Sequence, residues 1–167
     1  MDAYGELVRR YQHDARRTAA VIAGASAAED AAQEAFVRAH RHLSGFRPGA
    51  PFRPWLLAIV VNVARNQRRS AGRWARAVHR AGEQGGRHVA PSAEDEMVTR
   101  QGSSAVRAAL DALPPRYRDV VACRYLLDLS EAETARVLGV ARGTVKSRLS
   151  RGLDRLEARL DREVHDA

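Results

Sequence analysis

The chain has 167 residues, 45% of them hydrophobic and 29% charged, with a formal net charge of +8, which is room for one medium domain or two small ones. No stretch approaches the roughly 20 apolar residues of a membrane span, and the amino terminus lacks the basic-then-apolar layout of a secretory signal, so a soluble protein of the cytoplasm is expected. The single cysteine, Cys123, cannot form an intrachain disulfide, and the histidines are scattered, with His40 and His42 on different faces of one helix, so no metal or other cofactor is expected.

The first helices are read from Tyr4, Leu7, Val8 and Tyr11, and then from Ala32, Ala35, Phe36, Ala39 and Leu43, both sets at helical spacing. On the second helix Asp30, Gln33, Glu34, Val37 and Arg41 form a mostly polar stripe opposite Phe36. By itself this stripe is either a solvated face or a partner-binding one. Gly45, Pro48, Gly49, Pro51 and Pro54 place a loop next, and a third helix is predicted from about Phe52 to Arg69, with Phe52, Leu56, Ile59 and Val63 on one side. Asn62, Arg65, Asn66 and Arg69 share another side of it. Amides can read base edges and arginine can hold phosphate, although a charged solvent face has the same pattern.

Charge sharpens the reading. Between Glu34 and Glu83 there is no acidic residue, while Arg38, Arg41, Arg47, Arg53, Arg65, Arg68, Arg69, Arg73, Arg76 and Arg80 all lie in that interval. A basic block of this kind suits a polyanion, because neutralised phosphates release counterions. From Ala71 to about Glu94 glycines accumulate among Arg and His, which marks a linker, with a helical extension as far as Arg80 as the other possibility. Trp74 falls there. Helical periodicity returns from Met97 to Leu113, breaks at Pro114 and Pro115, and resumes through Val120, Val121 and Tyr125.

The carboxy-terminal part is the most informative. Ser130 and Glu133 form a capping box ahead of a short helix ended by Gly139. A longer helix follows, with Val145, Leu149, Leu153, Leu156 and Leu160 in one apolar stripe and Thr144, Ser147, Arg148, Arg151 and Arg155 opposite, behind Arg142. Short helix, glycine turn and basic helix match a helix-turn-helix, whose second helix enters the major groove; a helical hairpin with a solvated basic face is the alternative.

These residues carry a resemblance. LSEAETARVLGVARGTVKSRLSRGLDRL resembles region 4.2 of bacterial RNA polymerase sigma factors, and ALDALPPRYRDVVACRYLLD resembles region 4.1. Ala141 stands where that family often has Ser at the helix cap. AEDAAQEAF resembles region 2.2, and FRPWLLAIVVNVARNQRRSAGR resembles regions 2.3 and 2.4. The resemblance covers nearly the whole chain in the family's order, and the lack of room for further regions points to the short extracytoplasmic-function type.

It implies an all-α fold of two small helical domains: region 2 over residues 1–73, a flexible linker over 74–96 and region 4 over 97–167. It further implies that Asp30, Gln33, Glu34 and Arg41 dock on core RNA polymerase, at the clamp helices of its largest subunit, with the flap region as a second contact. Phe46, Arg47, Asn62, Arg65, Asn66 and Arg69 would read and open the −10 element, with the loop from Phe46 to Phe52 shaping a pocket for a flipped base. Arg142, Thr144, Lys146, Ser147, Arg148 and Arg151 would read the −35 element. Promoter DNA and an anti-sigma factor are the other implied partners. Trp55 is expected to be a core residue.

Two rivals compete with this reading. A helix-turn-helix regulator binding as a homodimer would leave the amino-terminal half without a task. A nuclease would need clustered carboxylates, and Asp30 with Glu34, Glu94 to Glu96, and Glu131 with Glu133 are the only candidates; no enzymatic activity is expected.

Overall fold

The structure, a computed structural model, describes residues 3–82 and 101–165. Within them the chain forms seven helices: α1 (Ala3–Ala23), α2 (Ala25–His42), α3 (Phe52–Gly82), α4 (Gln101–Asp111), α5 (Pro115–Val121), α6 (Glu131–Leu138) and α7 (Arg142–His165). A 3₁₀ turn at Leu43–Gly45 and a π-helical turn at Ala122–Leu126 complete the described elements. The expected all-helical class is what is found.

Helices α1 and α2 are joined by one residue, Gly24, at φ 98°. Nothing lies within 4 Å of where its Cβ would be, so glycine is needed there for its backbone and not for space. The two helices pack through buried alanines, Ala15 and Ala19 on one and Ala31, Ala32, Ala35 and Ala39 on the other, and such small side chains let helix axes come close. Arg53 pairs with Asp14 at 2.6 Å and so fixes the start of α3 against α1.

The sequence predicted one apolar side on α3, but Leu56, Leu57, Val60, Val61 and Val63 are all buried. An arc this wide serves two interfaces: α3 contacts α1 and α2, and also α6 from the carboxy-terminal half. Residues of both halves, Val60 and Leu129 among them, belong to one hydrophobic cluster. The expectation of two helical domains joined by a tether left open whether they share a core, and here they do. Its rim is charged. Arg65 Nε meets Asp119 Oδ2 at 2.7 Å, and Asp119 is 2% exposed and also accepts from the buried Arg118. Burial pulls the pKa of Arg118 down, and the charge of Asp119 opposes that shift.

Helix α3 also runs on past Arg69 to Gly82, through the first residues assigned to the linker. Alanine and arginine propagate a helix well, and one glycine in its interior, Gly72, costs only about 1 kcal/mol. Residues 83–100, which hold the rest of the expected linker, lie outside the described residues.

In the carboxy-terminal half, Pro115 occupies the first turn of α5, where its missing N–H is no loss. The capping box forms as predicted: Ser130 N–H donates to Glu133 Oε2 at 2.8 Å, and Glu133 N–H donates to Ser130 Oγ at 3.2 Å. Gly139 closes α6 in the left-handed region at φ 66°. Val145 is fully buried, and Leu149, Leu153 and Leu156 pack on Leu110, Leu113 and Val121. Helix α7 comes so near α5 at Gly152 that a Cβ there would stand 2.8 Å from Val121 Cγ2. Cys123 is buried, and burial pushes its thiol up to about 12, which leaves it an inert apolar residue.

Candidate polymerase and nucleic-acid interfaces

Burial of Ala32, Ala35, Phe36 and Ala39 turns the opposite side of α2 outward. Asp30, Gln33 and Arg41 are exposed on it, while Glu34 is half-buried. Glu34 is held at both oxygens, by Arg38 at 2.5 Å and by Gln67 Nε2 of α3 at 3.5 Å. Between these polar groups Val37 is 51% exposed. The sequence put Val37 in the stripe without a role, and an apolar residue amid polar ones was the available signal. The four residues expected to dock therefore share a face with an apolar centre.

In the loop before α3, the Phe46 ring lies 5.0 Å from Trp55 and 5.6 Å from Phe52, which in turn stacks near Tyr11 at 5.3 Å. Phe46 is thus part of an aromatic cluster beneath the loop, and Trp55 packs there as expected. Arg47 is exposed, and Gly49 turns the loop at φ 83°.

On α3, Asn62, Asn66 and Arg69 are exposed on one side, with Arg69 donating to Asn66 Oδ1 at 2.5 Å. Arg65 is not with them. Its guanidinium is engaged by Asp119, and sequence spacing alone, blind to a partner 54 residues away, placed it on the reading face.

On α7, Arg142, Lys146, Ser147 and Arg151 are exposed, and Thr144 and Arg148 are half-buried beside them. Arg142 sits 3.6 Å from Glu131 at the surface, a pair worth little in water. Ser147 Oγ donates to the carbonyl of Thr144 at 3.2 Å. The helix starts without a side-chain cap: Val145 N–H donates to the Ala141 carbonyl at 3.1 Å. Arg155 departs from the polar row, its guanidinium standing 5.1 Å over the Tyr117 ring, where Arg116 also stands at 4.8 Å.

A helix-turn-helix with an exposed basic face, preceded by a three-helix unit with an amide and arginine face, is the arrangement of a modular regulatory protein. Known proteins show which family it is. Residues 7–74 match the family described as Sigma-70 region 2, and residues 103–156 match Sigma-70, region 4. The extracytoplasmic-function (ECF) RNA polymerase sigma factor SigM of Mycobacterium tuberculosis is 38% identical over 155 residues, covering 92% of this chain and 75% of that protein. SigW of Bacillus subtilis is 29% identical over 167 residues, covering 95% of this chain and 89% of that one. Among solved structures, CnrH in complex with the cytosolic domain of CnrY matches with a TM-score of 0.68 at 27% identity, over 95% of this chain and 88% of CnrH. The sigma factor RpoE of Bartonella quintana, in complex with the anti-sigma factor NepR, matches in fold with a TM-score of 0.71 at 24% identity, over 96% of this chain and 98% of that one.

The chain belongs to the extracytoplasmic-function family of sigma-70-type RNA polymerase sigma factors. It acts with core RNA polymerase to direct transcription initiation at promoters.

Proposed function

We propose that promoter recognition is divided between two exposed faces, Asn62, Asn66 and Arg69 on α3 for the −10 element and Arg142, Thr144, Lys146, Ser147, Arg148 and Arg151 on α7 for the −35 element. What carries the reading is that each face is polar and outward while the opposite side of its helix is locked in the core. The α7 residues suit duplex DNA, since arginine bonds guanine bidentately in the major groove. The amides of α3 suit bases leaving the stack. Arg47 lies where the loop would flank a flipped base, and Phe46 supports that loop from below. Arg65 joins the α3 face only when Asp119 lets it go.

Docking on the clamp helices of the polymerase falls to Asp30, Gln33, Glu34 and Arg41 around Val37. The domain division follows the same lines, with region 2 in α1–α3 and region 4 in α4–α7. The chain contributes binding energy, and the polymerase contributes catalysis, so it works as an initiation factor and not as an enzyme. Its place of action is the cytoplasm, beside the polymerase; no helix among the described residues is long and apolar enough to cross a membrane. An anti-sigma factor is the further partner of this reading, and CnrH too is seen in a complex, with the cytosolic domain of CnrY.

The test is reconstituted transcription. Changing Asn62 and Asn66 together to Ala removes base-edge hydrogen bonding without removing charge, so duplex promoter binding should persist. Permanganate reactivity of thymines at the −10 element should fall, and a template premelted there should restore activity. Melting at the parent rate would remove both residues from the reading face.

A further inference from the structure

Among the described residues three ion pairs join the two halves, and all run the same way. Arg17 of α1 meets Asp128 at 3.9 Å, Arg65 of α3 meets Asp119 at 2.7 Å, and Arg68 of α3 meets Asp111 at 3.5 Å. Each arginine belongs to the amino-terminal half and each aspartate to the carboxy-terminal half. Arg68 also donates to the Ile22 carbonyl at 3.1 Å, which holds its guanidinium on its own unit while it reaches the other. Complementary charge of this kind fixes the register in which two surfaces meet. It accompanies the apolar packing of α3 on α6.

The contact is nevertheless able to release. Arg17, Asp128 and Asp111 are all more than half exposed, and exposed pairs contribute little each. Size makes release necessary. The −35 and −10 elements stand about 25 base pairs apart, roughly 85 Å of duplex at ~3.4 Å per pair. A compact chain of 167 residues has a radius of gyration of about 15 Å, or a breadth of about 40 Å. Packed together, the α3 and α7 faces cannot reach both elements at once. The packed state also withholds Arg65 from the α3 face, because Asp119 engages it. The α2 face is treated differently: Asp30, Gln33, Val37 and Arg41 stay exposed while the halves are in contact.

We propose that the α3–α6 contact and its three ion pairs are an autoinhibitory latch. The free chain is closed, polymerase docks first on the open α2 face, and only the unlatched chain reads both promoter elements. The inference rests on the proposed function, which supplies the two DNA faces and the docking surface, and adds an order of events to it. A closed population lowers promoter affinity by the fraction of chains that are open, and leaves polymerase association untouched.

The test places donor and acceptor dyes at Gln12→Cys and Glu157→Cys of the full chain, two exposed positions, one in each half. Cys123 is buried with its thiol pushed up to about 12, so dyes react at the introduced sites alone. Energy transfer in the free chain should be high. Arg17→Asp together with Asp111→Arg sets like charges against each other at two pairs without altering the net charge. It should lower the closed-to-open ratio roughly 2- to 30-fold, the range for losing two exposed pairs. Adding Arg68→Asp re-forms one pair in reverse and should recover part of the transfer, which a misfolded chain would not do. On a duplex carrying both elements, without polymerase, the double charge variant should bind tighter by a similar factor. Its association rate with core polymerase should stay at the parent value. Low transfer in the free parent chain, or transfer unaffected by the charge variants, would overturn the latch. So would an opened chain that binds the promoter no better than the parent, and slower association with polymerase would overturn the order of events. The dye measurement involves neither DNA nor polymerase, so its failure leaves the Asn62 and Asn66 melting test standing.

Discussion

The two helices proposed to face DNA are built under different constraints. Helix α7 has one apolar stripe, from Val145 to Leu156, and its opposite side is free to present arginine, lysine and hydroxyl groups. Helix α3 is buried on a wide arc because it serves its own unit and α6 together, so that only Asn62, Asn66 and Arg69 remain outward along its packed length. The one further polar group spaced to join them, Arg65, is held by Asp119. A helix that bridges two units has little surface left for recognition.

This contrast depends on the shared core, so the largest effect is expected where the core carries charge. Asp119→Ala leaves Arg118 and Arg65 without their common partner, and losing one side of a buried ion pair typically costs about 3–5 kcal/mol. Urea denaturation should register most of that, reduced because Arg65 is 28% exposed. A loss below about 1 kcal/mol would mean that the two units do not share this core.

The second prediction sharpens the division of reading. Arg148→Ala should weaken −35 recognition by about 1–3 kcal/mol. Activity on a template premelted at the −10 element should suffer less. Equal loss on both templates would place Arg148 in polymerase binding or in folding.

The smallest effect concerns the turn that aims α7. Ser130→Ala should cost about 1 kcal/mol. The backbone N–H of Ser130, then its side chain, holds the Glu133 carboxyl below its usual range. Since the folded pKa lies below the unfolded one, this stabilisation is fully present above about pH 4.5 and is lost as pH falls through the depressed value. The stability gap between the parent and Glu133→Gln should therefore close on acidification, as followed by circular dichroism. A gap independent of pH would deny the carboxylate its capping role.

The sequence made legible whatever has a period or a local signature. The helical spacing of the apolar residues, the Ser130 and Glu133 box, the Gly139 turn and the stripe from Val145 to Leu156 all stand where they were expected. Trp55 is partly buried and packs against the core for the same reason, as a neighbour of an apolar stripe. What escaped depends on contacts between distant residues. The Arg65 to Asp119 pair and the packing of α3 on α6 leave no mark at short range. The reach of α3 to Gly82 was open at the level of sequence, because glycine and proline near a helix end suggest a stop that alanine and arginine can outweigh. Asp30, Gln33 and Arg41 could be placed outward from spacing, whereas the two-sided hold on Glu34 could not.

Gly152 makes a different point about α7. It has no group to offer DNA, yet adding one carbon would press into Val121 and come within 3.5 Å of Tyr117. Of the positions on this helix, one that touches no base is among those least open to change. The proposed reading positions Arg148 and Lys146 can therefore vary while the scaffold that presents them stays fixed by a residue without a side chain.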